Sequence, residues 1–339
     1  MVQGDNRIKM DEFKKIRTGV IGVGSMGQNH ARIYNEVSKL IGVADLDEKQ
    51  GKKVANRFGV KFYSDYKNML KDVDAVTIST PTIYHKEVAK EVIDSGVHLL
   101  VEKPFADNSD DAKYILEATK GKDITLAVGH IERHNEVIKK ARACIQNNEW
   151  GKILTISAKR FSSFPSRIRD VGVLFDLTIH DVDVISYLVG HKINSVFALG
   201  GKAKNNTYED HVILSTQFDN GVIGSCETNW LTPMKVRKIN ITTDTCFVTI
   251  DYMKQDIKIN SSSFHNLDSS NLYKSSMEVK QDHIIVDKTE PLKNEINDFL
   301  SSIINNREPL VTAEQGLQAV KVVESGLESI KSGDFVNIL

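Results

Sequence analysis

Two rhythms divide the chain. Up to about residue 130, short apolar runs rich in Val, Ile and Leu alternate with stretches whose apolar positions recur at helical spacing. From Lys152 the alternation becomes strand-like, every second residue. The first rhythm predicts strands at 16–23, 40–44, 73–79, 97–101 and 124–128, with helices over 25–37, 47–58, 83–94 and 108–120. Strands separated by helices pair in parallel, so this half predicts a doubly wound sheet. A further helix is expected from residue 131 to about residue 148, at the change of domain. The second rhythm predicts strands at 153–158, 195–199, 212–218, 222–228 and 239–242. Asp219-Asn220-Gly221 between two of them predicts a hairpin in which Asn-Gly takes the left-handed positions of a two-residue turn. Two amphipathic helices, 295–305 and 313–332, close the chain.

The first strand runs into GVGSMG, residues 22–27, and then into a helix. In this pattern Gly22 makes a tight turn, Gly24 lets backbone approach a pyrophosphate, and Gly27 lets helix pack closely on strand. Ser25 and Met26 open the helix whose N-terminus holds the anion. Asp45 ends the second strand eighteen residues after Gly27, where an acid grips the adenosine ribose hydroxyls. That carboxylate would repel the 2′-phosphate of NADP, so NAD is the expected cofactor. The strand exits Ser79-Thr80-Pro81 and Glu102-Lys103-Pro104 fall at the carboxyl edge where such sheets bind ligands. His30, in the following helix, reads as structural.

The expected fold class is therefore α/β. A Rossmann doubly wound parallel sheet occupies 1–128, behind a polar leader 1–15, and 129–339 forms a C-terminal α+β domain with a largely antiparallel open sheet. An open sheet face needs cover, and a homo-oligomer, dimer or tetramer, is the expected means.

Composition narrows the partners. Lys plus Arg (44) nearly balances Asp plus Glu (45), leaving a formal charge of −1 and no field to attract nucleic acid. Three widely separated cysteines argue against a disulfide framework or thiolate metal cluster and favour a cytoplasmic location. The charged leader lacks the apolar core of a signal peptide, and no run approaches the ~20 apolar residues of a membrane span.

Residues 172–187, GVLFDLTIHDVDVISY, put ionisable groups into an apolar helix. Asp176 and His180, four apart, share one face, so the carboxylate can hold the imidazole as a proton acceptor. The bland alternative is a buried helix with a satisfied histidine. Just before it, Arg160, Arg167 and Arg169 cluster, either to hold a phosphate or carboxylate or to pair with Asp170, Asp181 or Asp183. A metal at Asp176, His180 and Asp183 lacks the usual convergent His/Cys set, so no metal is expected.

GVGSMG, Glu102-Lys103-Pro104, the Asp176 to His180 spacing and the order of the two halves together resemble the glucose-fructose oxidoreductase, inositol dehydrogenase and rhizopine-catabolism (Gfo/Idh/MocA) family over essentially the whole chain. The resemblance implies a catalytic set of Lys103, Asp176 and His180, a cofactor site lined by Thr80, His85 and Glu102, and a cis bond before Pro104. GHIERHN (129–135), RIRDVGVLFDLTIHDVDV (167–184) and NWLTPMKVR (229–237) look most like its nucleotide-sugar branch. His134 and Glu136 depart from that branch, where Phe and Pro are expected. This narrower likeness implies oxidation of UDP-N-acetylglucosamine at C3, with Lys103, Arg133, Arg160, Arg167 and His180 against the substrate. Alternatives are a dehydrogenase of a free sugar or inositol, an NAD-dependent glycosidase of the same family, and a non-catalytic dinucleotide sensor.

Overall fold

A computed structural model describes residues 11–164, 171–204, 206–266 and 276–338. By internal contacts the chain divides into two units. The first comprises residues up to His134 together with Thr289–Lys321, and the second comprises Asn135–Lys288 and Val322–Leu339. The grouping differs from a single boundary at residue 128 in returning a C-terminal segment to the first unit.

The first unit runs β1 (Arg17–Ile21), α1 (Ser25–Val37), β2 (Lys39–Ala44), α2 (Glu48–Phe58), β3 (Lys61–Tyr63), α3 (Tyr66–Leu70), β4 (Ala75–Ile78), α4 (His85–Asp94), β5 (His98–Glu102), α5 (Ser109–Ala118) and β6 (Leu126–Gly129). All its strands are parallel, in the order β3-β2-β1-β4-β5-β6. That is the strand order of a dinucleotide-binding sheet, in which the order reverses beside the first strand. Its helices start and stop where side chains dictate. Asp47 caps α2 by accepting from Gln50 N at 3.0 Å, and Gly59 ends it at φ 66°. Asn108 caps α5 by accepting from Asp111 N at 2.8 Å.

Sequence pattern did not anticipate β3 and α3, three and five residues long, which are too short to show a period. The helix expected from residue 131 is instead a 3₁₀ turn, Ile131–His134, followed by α6 (Glu136–Gln146), capped by Asn135.

In the second unit β7 (Ile153–Ser163) is followed by a π-helical turn, Leu174–Thr178, and α7 (Ile179–Val189). Then come β8 (Ile193–Gly201), β9 (His211–Phe218), β10 (Ile223–Asn229), β11 (Leu231–Thr243), β12 (Phe247–Asp251), β13 (Asp256–Asn266) and β14 (Ser276–Ile285). They form one sheet in the order β14-β13-β12-β11-β7-β10-β9-β8-β15, where β15 is Val336–Asn337. Pairing is antiparallel except between β7 and β10.

The hairpin between β9 and β10 forms where expected but with different geometry. Gly221 N donates to Phe218 O at 3.0 Å and only Gly221, at φ 85°, is left-handed in this turn. Asp219 and Asn220 therefore make the turn and Gly221 the bulge after it. β11 exceeds its expected extent because its first half is polar and contains Pro233. The register shifts between Leu231 and Val236, around that proline, which cannot donate to a ladder.

The last two helices are α8 (Pro291–Asn305) and α9 (Ala313–Ser332). α8 begins four residues earlier than expected, with Pro291 in its first turn, where a missing N–H costs nothing. Leu292, Ile296, Phe299 and Leu300 of α8 join Ala31, Tyr34 and Val37 of α1 and Val20 of β1 in one buried cluster, which also takes in Phe13 and Ile16. Among the described residues no helix is long and apolar enough to cross a membrane. Phe299, 1% exposed, is the largest α8 side chain in that cluster. Phe299→Ala should lower stability by about 3 to 5 kcal/mol. Urea unfolding followed by circular dichroism checks this, and a near-zero change would take α8 out of the first unit's core.

Candidate active site

The parallel register brings three strand exits to one edge of the first unit. Ile21 pairs with Ile78, and Ile78 with Val101, so Gly22, Ser79 and Glu102 leave the sheet side by side. Gly22 turns at φ 84°, and a Cβ there would meet Ser79 O and Thr80 N at 2.8 Å. At Gly27 a Cβ would meet Gly22 O at 1.9 Å. No side chain fits between this helix and the loop, and Ser79 Oγ donates to the same Gly22 carbonyl at 2.7 Å. Gly24 faces open space and precedes α1, whose first turn holds no acid, with Ser25 exposed and Met26 half-buried. The loop is thus backbone with uncommitted N–H groups at a helix N-terminus, the arrangement that takes a pyrophosphate.

Asp45 has two tasks. Its Oδ2 accepts from Val23 N at 2.7 Å and its Oδ1 from Asp47 N at 2.8 Å, so it braces the glycine loop while standing half-buried at the end of β2. Thr80 Oγ1 is buried without a hydrogen-bond partner among the described residues. A buried hydroxyl in that state suits a ligand's polar group. Open helix terminus, acid at the second strand and waiting hydroxyl all fit a dinucleotide.

His85 and Glu102, implied to line this site, are turned inward. His85 is 1% exposed, and its Nδ1 and Nε2 each lie 3.0 Å from a backbone carbonyl, those of Pro104 and Thr80. Burial holds its pKa below the ordinary histidine value against the pull of both carbonyls. A neutral ring donates from one nitrogen only, so it clasps the two exit loops one carbonyl at a time. Glu102, 7% exposed, faces His30 Nε2 at 2.7 Å through Oε1 and accepts from Lys103 N at 3.1 Å through Oε2. Burial alone would raise its pKa, but the hydrogen bond and charge of His30, joined by the charge of Lys103, outweigh it and lower the value. Lys103 is half-buried, and the peptide bond to Pro104 is cis. His30, read as structural, is fully buried and lies between Thr77 and Glu102, a pairing that sequence reasoning did not anticipate. Its only local signal is its position three residues after Gly27.

Arg133 is 3% exposed and donates to Gln315 Oε1 at 2.7 Å, within the first unit. Its guanidinium thus ties the Ile131–His134 turn to the returning segment.

In the second unit, Asp176 lies in the π-helical turn and His180 in the first turn of α7, both half-buried. The uniform α-helix expected over 172–187 is corrected here: Ile179 N bonds Leu174 O, five residues back. Such turns are rare and recur at functional sites. A four-residue separation is close to one turn in either geometry, so the two stay near one side of the helix.

Three contacts pin this helix start. Glu209, 8% exposed, accepts from Leu174 N at 3.0 Å, and burial raises its pKa against that hydrogen bond. A Cβ on Gly172 would meet Glu209 Oε1 at 2.0 Å, so this residue must be small. Thr178 Oγ1 lies 2.6 Å from Thr228 Oγ1 of β10. Arg160 of β7, 3% exposed at its side chain, meets Asp181 Oδ1 through Nε and a terminal nitrogen, each at 2.9 Å. The arginine–aspartate pairing weighed from the sequence is thus present for Arg160. Arg167, Arg169 and Asp170 lie outside the described residues. Glu209 gave no signal in the sequence, being 35 residues from the backbone it caps.

Residues 16–130 match the family model of oxidoreductases with an NAD-binding Rossmann fold, and residues 138–247 match the GFO/IDH/MocA C-terminal domain. The chain is 29% identical over 292 residues to UDP-N-acetylglucosamine 3-dehydrogenase of Acidithiobacillus ferrooxidans, covering 86% of this chain and 90% of that one. A solved structure of the enzyme of that name from the same organism superposes with a TM-score of 0.85 at 26% identity, covering 94% and 98%. Myo-inositol 2-dehydrogenase of Thermotoga maritima is 30% identical over 226 residues, 62% of this chain and 67% of its own. Matched in both halves, the chain belongs to the Gfo/Idh/MocA family of oxidoreductases and carries that family's NAD-binding Rossmann domain.

Proposed function

We propose that the chain oxidises a secondary hydroxyl of a nucleotide sugar, UDP-N-acetylglucosamine at C3, to the 3-keto product. The observation that carries this is the likeness to UDP-N-acetylglucosamine 3-dehydrogenase, which extends over 90% of that relative and so through both of its halves. NAD, when bound, supplies the acceptor for the hydride leaving the carbinol carbon. His180 accepts the hydroxyl proton, work suited to a group whose unperturbed pKa is ~6.5. Asp176 orients the imidazole and stabilises its protonated form. Lys103 lowers the energy of the developing alkoxide through its positive charge. Gly22, Gly24, Ser25, Met26 and Gly27 hold the pyrophosphate, Asp45 the ribose, and Thr80 a further polar group of the dinucleotide. Arg133, Arg160 and Arg167 are the arginines proposed against the substrate, with Arg167 set toward the sugar diphosphate.

A second reading is favoured by the match to a myo-inositol dehydrogenase, which would make the substrate a free polyol. The proposal also places the chain in the cytoplasm, supported by three free cysteines. It makes the protein a homo-oligomer, supported by Leu199, Ile213 and Ile223, which share one face of the sheet at 62%, 52% and 58% exposure.

With NAD and substrate saturating, His180→Ala should lower kcat by about 10² to 10⁴, and an unchanged kcat would remove His180 from the chemistry. Lys103→Ala should depress kcat more than NAD affinity; the reverse would make Lys103 a cofactor ligand only. UDP-sugars, free sugars and inositols offered with NAD or NADP, with NADH absorbance as readout, test the substrate. Turnover of UDP-N-acetylglucosamine with NAD is expected, and turnover of free polyols alone would overturn the nucleotide-sugar reading.

A further inference from the structure

A continuous polar chain runs through the apolar interior of the first unit. Tyr34 OH lies 2.8 Å from Thr77 Oγ1, Thr77 Oγ1 lies 3.2 Å from His30 Nδ1, and His30 Nε2 lies 2.7 Å from Glu102 Oε1. Glu102 Oε2 then accepts from the backbone N–H of Lys103 at 3.1 Å. Tyr34, Thr77 and His30 are each fully buried. The chain therefore starts on α1, crosses β4 and ends at the strand exit that carries the lysine.

Stability alone gives little reason for such an arrangement, because well-packed apolar residues replace a buried ion pair at no cost or with a gain. What a satisfied buried network does supply is a unique position for each member. The member at its open end is the backbone of Lys103, and the His30 imidazole is the element that fixes the Glu102 carboxylate from behind.

Glu295 of α8 brings a third ligand-type oxygen within 4.8 Å of the other two groups. A cation does not explain the set. Ligands about 2.0 to 2.1 Å from a tetrahedral ion stand roughly 3.3 Å apart, whereas His30 and Glu102 meet at the 2.7 Å of a charge-assisted hydrogen bond.

We propose that His30 is a positioning residue for Lys103: through Glu102 it holds the lysine backbone in the place from which the ammonium acts. The inference rests on the reading of Lys103 as the group that stabilises the alkoxide. It couples the helix of the glycine loop to the lysine, so that one side chain serves both strand exits without touching either ligand.

The test is a double-mutant cycle in the full-length protein, with UDP-N-acetylglucosamine and NAD as probes, and a spectroscopic measurement that needs neither. His30→Gln should lower kcat about tenfold while changing NAD affinity less than threefold, and should lower it less than twofold further when added to Lys103→Ala. In the protein without ligands it should shift the ¹⁵N–¹H signal of the Lys103 amide. A full tenfold loss on top of Lys103→Ala, an unchanged kcat in folded His30→Gln, or an unmoved Lys103 amide signal would overturn the proposal. If Lys103→Ala by itself leaves kcat intact, the reading of Lys103 falls and the proposal falls with it, an outcome distinct from an additive cycle. Should His30→Gln fail to fold, the near-isosteric Glu102→Gln carries the same cycle and the same amide measurement.

Discussion

Register in a parallel sheet is the constraint from which the first unit's chemistry follows. Because β1, β4 and β5 end level with one another, three loops far apart in sequence emerge within a few ångströms at one edge. The strands themselves are buried along nearly their whole length. Close approach does the rest: Gly27 against the Gly22 carbonyl seats α1 on the loop, and Ser79 locks that carbonyl from the neighbouring strand. A shift of register by one residue would separate the loop from Thr80 and send the buried side chains to the wrong face.

Much of this was legible in the sequence, because the parallel sheet and its glycine loop are local patterns. Period, glycine spacing and an acid at the end of the second strand all act over a few residues, and α1, α2, α4 and α5 stand close to their expected places. What escaped was long-range. His30 and Glu102 lie 72 residues apart and meet only because the strand order puts β4 between their elements. Arg160 could face a ligand or an aspartate, and the sequence could not choose, since its partner is 21 residues away on another element. The π-helical turn at Leu174–Thr178 gives no compositional sign, for its residues would suit an α-helix equally.

The second unit uses buried charge differently. Around the start of α7, the Arg160–Asp181 pair, the Thr178–Thr228 contact and the Glu209 carboxylate bind one helix end to three separate points of the sheet or its loops. Each would be costly to break, since removal of one partner leaves a desolvated group behind. Their common effect is to specify where Asp176 and His180 begin. Side chains on a regular element held this firmly have little freedom left to lose.

The return of Thr289–Lys321 to the first unit bears on how the protein is made. His134 and Thr289 are separated by the 154 residues from 135 to 288, all assigned to the second unit. At about 5 to 20 residues per second, a ribosome needs roughly 8 to 30 s to supply that stretch. Throughout that interval the nucleotide-binding sheet is complete in its strands, yet α1 and Val20 still lack the apolar face of α8. The nascent chain thus lacks that apolar cover for seconds while most of its second unit is synthesised, and the last piece of the second unit, Val322–Leu339, follows only after α8 has been made.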